Sequence, residues 1–340
     1  MKSVSPRTGR RSPPLQLALQ GGGAHGAFTW GVLDRLLEDD DIDIGQVSGT
    51  SAGALNGAAM VSGLARGGRA GAKEHLSLLW HGIATVGTPL AWLMTPLRKP
   101  GLGVWDDAMP LLSPYVTNPL AMEPVRALLA GVVDVKAINA AGSNALYVNA
   151  VNVNTGRCRV FGPGEQSLQT ILASACAPLV FQAIVIDGQS YWDGGYAGNP
   201  SLWPLYQAAP RTDILLVELT PLERAETPTT AKNILNRINE IASIQGLVAE
   251  LQAIDLMNRT SRGTDIRLHV VSLPDAGTAL QIEPSIKRTV ALELFYSLHE
   301  QGRSACDGWL AARTGKKLPV PAHIGSRYLG QEQPKLQRVA

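Results

Sequence analysis

At 340 residues the chain can bury a substantial core as one large domain or two modest ones, and its 45% apolar and 17% charged content excludes a disordered or fibrous protein. Three cysteines, Cys158, Cys176 and Cys306, are an odd number without C-x-x-C spacing, which argues against a disulfide framework or a zinc site and fits a reducing compartment. The net charge of +2 is uneven: residues 1–14 hold four basic and no acidic side chains, residues 313–340 six basic against one acidic, and the body between is net acidic. Basic tails of this kind can attract anionic lipid head groups, although solvated tails are the simpler expectation. The apolar stretch LQLALQ behind the first tail is too short for a signal peptide, and no window approaches 18 apolar residues. The expected location is cytoplasmic, with room for peripheral membrane contact, and nothing suggests nucleic acid as a partner.

Residues 15–20 read as a buried strand and 26–38 as a helix, with Phe28, Val32, Leu33, Leu36 and Leu37 on one face. A second strand ends near Val47, and the small residues SAGALNGAAMVSG (51–63) read as a second helix. This β-α-β-α order is the signature of an α/β sheet covered by helices. From 64 to 143 the alternation is lost: one helix is expected at 72–83, followed by Pro- and Gly-rich sequence that carries Trp92 and Trp105, with Trp80 before it. A long insertion of this type reads as a cap or lid, or equally as loops held down by inward-facing tryptophans. GLARGGRAG (63–71) reads as a hinge. Strands are expected at 145–153 and 157–161, then a buried helix that Pro178 stops. Asp187-Gly188 marks a hairpin between strands 183–187 and 190–192. DILLVEL (213–219) has the continuous apolar character of a strand inside a parallel sheet. A long amphipathic helix (231–258), a core strand (DIRLHVVSL) and a last helix (285–311) complete one domain with loose ends, without internal repeats.

The chemistry is concentrated in three short stretches. Gly21, Gly23 and Gly26 in GGGAHG match G-x-G-x-x-G, so this loop can hold a dinucleotide phosphate or aim backbone N–H groups at a reacting carbonyl oxygen. Gly49-Thr50-Ser51-Ala52-Gly53 is a G-x-S-x-G between a strand and a helix. The sharp turn needs small residues two before and two after the serine, and leaves the hydroxyl at a helix N-terminus. A dinucleotide site would want an acid at the end of the second strand; the second strand ends in the nucleophile turn instead. The glycine loop is therefore expected to serve an oxyanion. For the base, His269 lies inside a core strand, His75, His81 and His299 on helices, and His323 in the tail. His25 sits in the glycine loop, close enough to touch substrate. Asp193, in YWDGGYAGNP, is the stronger candidate, because two following glycines let the backbone turn and leave the carboxylate open, although DGG by itself is also an ordinary turn.

GGGAHG (21–26), GTSAG (49–53) and DGG (193–195), in this order, resemble the patatin-like phospholipases, lipid acyl hydrolases with a Ser–Asp dyad. ASACAPLVF (173–181) and SPYVTNPLAMEPVR (113–126) add to the likeness, which covers about residues 15–205 in motifs and extends to 312 by element order. The resemblance implies a three-layer α/β/α sandwich around a mostly parallel sheet, here with a Pro/Gly/Trp-rich cap at 64–143 inside a hydrolase domain of residues 15–312. Residues 1–14 and 313–340 would be basic tails. It further implies Ser51 as nucleophile, Asp193 as base, an oxyanion hole at Gly21, Gly22 and Gly23, and motif glycines Gly26, Gly49, Gly53, Gly194 and Gly195. The expected substrate is a lipid ester, and no metal or organic cofactor is required. Many members of the family carry Arg or Lys where this chain has His25, which weakens the inference to phospholipid more than that to ester hydrolysis. A neutral glyceride, a storage polyester or a lipid-binding role without turnover are the alternatives.

Overall fold

The computed structural model describes residues 13–94, 113–117, 122–178, 180–207, 209–220, 222–224, 227–274, 292–315 and 317–330. Eight strands form one sheet: β1 (Leu15–Leu19), β2 (Ile44–Gly49), β3 (Leu146–Asn152), β4 (Cys158–Phe161), β5 (Ile184–Ile186), β6 (Gln189–Asp193), β7 (Arg211–Glu218) and β8 (Asp265–Ser272). Their order is β5-β6-β3-β2-β1-β7-β8, with β4 also pairing with β3. The centre is parallel, from β3 through β2, β1 and β7 to β8, and the β3–β6 end is antiparallel. The inner strands are apolar on both faces, as burial between two helical layers demands. The Asp187-Gly188 turn has positive φ at both residues, 49° and 74°, the geometry that closes a two-residue hairpin.

Helices α1 (Gly26–Leu37), α2 (Ala52–Met94), α3 (Glu123–Val132), α4 (Leu168–Ser174), α5 (Ala231–Thr260) and α6 (Leu292–Ala311) cover the sheet. One face is filled by Phe28, Trp80, Phe295, Leu33 and Leu76, the other by Leu247, Leu251, Ile254 and Leu268. The sequence is thus an α/β/α fold, as its element order predicts.

Two expectations need correction. The loss of regular alternation expected from residue 64 does not begin there: α2 continues to Met94, interrupted only at Gly67 and Gly68, where φ/ψ leave the helical region, and its second arm contains the helix expected at 72–83. Its two arms, 52–66 and 69–94, close on each other at a pair of glycines, since a Cβ on Gly63 would lie 2.3 Å from the Gly71 carbonyl oxygen. GLARGGRAG therefore builds a tight helical crossing in which Gly63 and Gly71 are contact residues. Trp80 is 1% exposed and packs edge-on to Phe295, so at least this tryptophan faces inward. Residues 95–112, including Trp105, lie outside the described residues. The second correction concerns the C-terminal segment from 313, which reads as a tail but folds through residue 330. Ala322 N–H donates to Leu268 O at 2.7 Å, Tyr328 Oη donates to Glu218 at 2.9 Å, and Ile324 and Tyr328 are buried.

Gly63→Ala is expected to destabilise the protein by about 1–3 kcal/mol through overpacking against backbone that cannot yield. Gly67→Ala, in open space at φ −142°, should cost less than about 1 kcal/mol. Urea unfolding of both variants checks the contrast.

Candidate active site

Ser51 stands between the C-terminal end of β2 and the first turn of α2, and its φ of 54° places a non-glycine residue in the left-handed region. The strain follows from how closely the turn is packed. A Cβ on Gly53 would lie 2.1 Å from the Leu19 carbonyl oxygen, and one on Gly49 would lie 2.5 Å from that of Gly53. The glycine loop presses on the same turn: a Cβ on Gly21 would meet the Ser51 Cβ at 2.7 Å, and one on Gly26 the Ala52 Cβ at 2.6 Å.

Asp193 ends β6, beside Ala150 of β3. Its N–H donates to Cys176 O at 2.9 Å, and its Oδ1 accepts from Gly195 N at 2.8 Å, capping the turn Gly194–Tyr196. Burial pushes the carboxyl pKa up to about 6, opposed by the Gly195 N–H and by the nearby Ser51 hydroxyl. Three separate stretches of sequence thus meet at one point, and Ser51 and Asp193 face each other.

Side chains that sequence reasoning passed over hold this meeting together. Asn149, buried on β3, accepts a hydrogen bond from the Thr50 hydroxyl and donates to Gly198 O at 2.6 Å and Gly194 O at 3.2 Å. Asn199 Oδ1 accepts from Gly21 N at 2.6 Å, and Ser48 Oγ donates to Ser201 O at 2.6 Å. Ser174, at the end of α4, accepts the Ser51 N–H at 2.9 Å. The available signal was burial: VNAVNV places a polar amide inside an otherwise apolar strand, where it must find partners.

The Gly21 N–H is committed to Asn199, so within the expected oxyanion loop only Gly22 and Gly23 have N–H groups without a described acceptor. Gly23 has φ 58° and begins the short turn Gly23–His25. His25 is 4% exposed, buried at the end of that turn rather than presented on the open face of the loop. Four of the other histidines are engaged elsewhere. His269 pairs with Asp213 at 2.9 Å inside the sheet, His299 with Asp34 at 3.0 Å, His81 with the Tyr296 hydroxyl at 2.6 Å, and His323 caps a short helix. Burial raises Cys176 and Cys306 to about 12, so both stay protonated thiols. A cavity of about 450 Å³ lined by Cys158, Ala197, Ser201, Trp203 and Glu250 includes neither Ser51 nor Asp193. Among the described residues no three His, Cys, Asp or Glu side chains group as metal ligands, and no helix is long and apolar enough to cross a membrane.

Comparison with known proteins agrees with this arrangement at the level of family. The patatin-like phospholipase family model matches residues 17–206, which contain all three motifs, and the chain belongs to that family. No curated protein matches the chain significantly. Among solved structures it is similar to VipD from Legionella pneumophila, with 14% identity, a TM-score of 0.41, and 88% of this chain and 68% of that one covered. It is also similar to ExoU from the type III secretion system of Pseudomonas aeruginosa, solved in complex with SpcU, at 17% identity and a TM-score of 0.32. That match covers 88% of this chain and 53% of the other, so the chain spans about half the length of this relative.

The raised Asp193 pKa carries a stability cost with a definite sign. Because the native carboxyl binds its proton more tightly than the unfolded one, stability falls as pH rises from about 4 to about 6. Asp193→Asn removes the charge and keeps an oxygen for Gly195 N–H. It should be more stable than wild type at pH 8 by on the order of 3 kcal/mol, with the gain vanishing near pH 3.5. Thermal melts across this range measure it.

Proposed function

We propose that the protein is a serine acyl hydrolase that cleaves carboxylic esters of lipids, phospholipid or lysophospholipid, through Ser51 and Asp193. The observation that carries this reading is a buried carboxylate, raised to about 6, beside the hydroxyl of a serine held at positive φ on a helix N-terminus. A free aspartate near 3.9 is a poor base for an alcohol; the raised value makes Asp193 a stronger one while leaving it ionised at neutral pH.

In this mechanism Asp193 accepts the Ser51 proton as Oγ attacks the ester carbonyl carbon. The carbonyl oxygen becomes an oxyanion, which the Gly22 and Gly23 N–H groups face. The Ala52 N–H, at the start of α2, is a further donor of the kind a nucleophile turn supplies. Each such donor contributes about 2.7–4 kcal/mol to the transition state. The alkoxide leaves with the proton from Asp193, giving an acyl-Ser51 ester. Water, deprotonated by Asp193, then releases the fatty acid and restores the serine.

The phospholipid assignment rests on family membership, and His25 in place of a cationic residue leaves a neutral glyceride or a polyester as the second reading for the same dyad. A lipid-binding protein without turnover is the third. Fluorophosphonate labelling separates them: wild type should gain one adduct at Ser51, and Ser51→Ala none. On a panel of phospholipid, lysophospholipid and glyceride esters, Ser51→Ala and Asp193→Asn should lose at least about a thousandfold in rate. Folded wild type that neither labels nor hydrolyses would leave the binding-protein reading.

A further inference from the structure

We propose that Ser174 is a positioning residue for the dyad, a role that rests on the hydrolase reading above. Ser174 is the last residue of α4 and is fully buried. Its Oγ accepts the Ser51 N–H at 2.9 Å, and two residues later the Cys176 carbonyl accepts the Asp193 N–H at 2.9 Å. A single three-residue stretch therefore meets the backbone of both catalytic groups and fixes the distance between them.

The Ser51 N–H is the donor most in need of such a partner. Around the turn, Thr50 N–H donates to Leu19 O, Gly53 N–H to Thr50 O, and Leu55 N–H to Ser51 O. The Ser51 N–H alone in this sequence of turns is taken by a side chain. A residue in the left-handed region persists only where its surroundings over-determine it. Without the Ser174 hydroxyl the N–H would lose this acceptor, and the Thr50–Ser51 peptide plane would be held only at its carbonyl, by the Gly53 N–H. Rotation of that plane swings the Ser51 side chain away from Asp193. Ser174 does not itself reach the reacting atoms, so its loss should affect the chemical step and spare substrate binding.

The test uses the full chain, comparing wild type, Ser174→Ala and Ser174→Thr, which keeps the hydroxyl. In Ser174→Ala, NMR hydrogen exchange at the Ser51 amide should be at least about tenfold faster. Fluorophosphonate labelling and kcat on a short-chain ester should fall about 30-fold, with KM within about twofold of wild type. Ser174→Thr should restore exchange, labelling and kcat to within a few-fold of wild type, which a role in packing alone would not. Should the alanine variant fail to fold, Ser174→Cys fills nearly the same volume with a weak acceptor and carries the same expectations. Unchanged exchange and labelling in Ser174→Ala, or equal losses in the alanine and threonine variants, would overturn the proposal while leaving the dyad intact. Wild type that neither labels nor hydrolyses would overturn the hydrolase reading itself.

Discussion

The Asn149 amide joins parts of the chain that are 99 and 45 residues away from it, and the end of the fold that brings Ser51 and Asp193 together depends on that junction. Its oxygen takes the Thr50 hydroxyl, and its amino group takes the Gly194 and Gly198 carbonyls. The nucleophile turn and the carboxylate turn thus share one rigid side chain, buried on a central strand. Asn199 extends the junction to the glycine loop by gripping Gly21. A buried amide network of this kind strengthens in a low-dielectric interior and is costly to break in part. This is why the turns can be packed until no Cβ fits at Gly53 or Gly194, where it would lie 2.1 and 2.2 Å from backbone oxygen.

The same burial that fixes geometry also sets the chemistry. Asp193 lies beneath the turn with 8% of its surface exposed, and the loss of water makes its proton harder to remove. A carboxylate that is costly to ionise is a better base, so in the proposed role of Asp193 part of the fold's stability would be exchanged for reactivity, a trade common at active sites. His269 and His299 serve buried carboxylates that hold a strand pair and a helix pair together. The small residues continue the theme away from the site. Gly31 and Gly302 bring α1 and α6 together until backbone meets backbone, and Gly63 and Gly71 do so within α2.

What could be read from the sequence was what repeats or what is punctuated by glycine. The apolar runs of β1 and β7, the period of α1 and α5, and the Asp187-Gly188 turn each follow from local rules, and the structure has them in place. The three motifs were legible because each gathers glycines at short spacing, around Ser51 in the second and after Asp193 in the third. Three features resisted. The crossing within α2 was obscured because Gly63, Gly67, Gly68 and Gly71 have the composition of a linker, and only the three-dimensional structure shows that two of them are contacts. The segment 317–330 has the charge of a solvated tail, and its anchors, Ile324 and Tyr328, are too few to give a period. The amide brace was legible only as a polar Asn149 in an apolar strand; Asn149 and Asn199 act on partners distant in sequence, and no local pattern names a distant partner.

The account stands or falls on Asp193 being the base for Ser51, without a histidine. The direct measurement is kcat/KM for a simple ester from pH 4 to pH 9, at constant ionic strength and with the fold monitored throughout. Because the carboxylate must be unprotonated to accept the serine proton, activity should rise with pH through a single ionisation near 6 and then level off. A loss of at least about a thousandfold in Asp193→Asn, with that ionisation absent from whatever activity is left, completes the expected result. An unchanged profile in Asp193→Asn, or a limb that disappears only when a histidine is replaced, would contradict it.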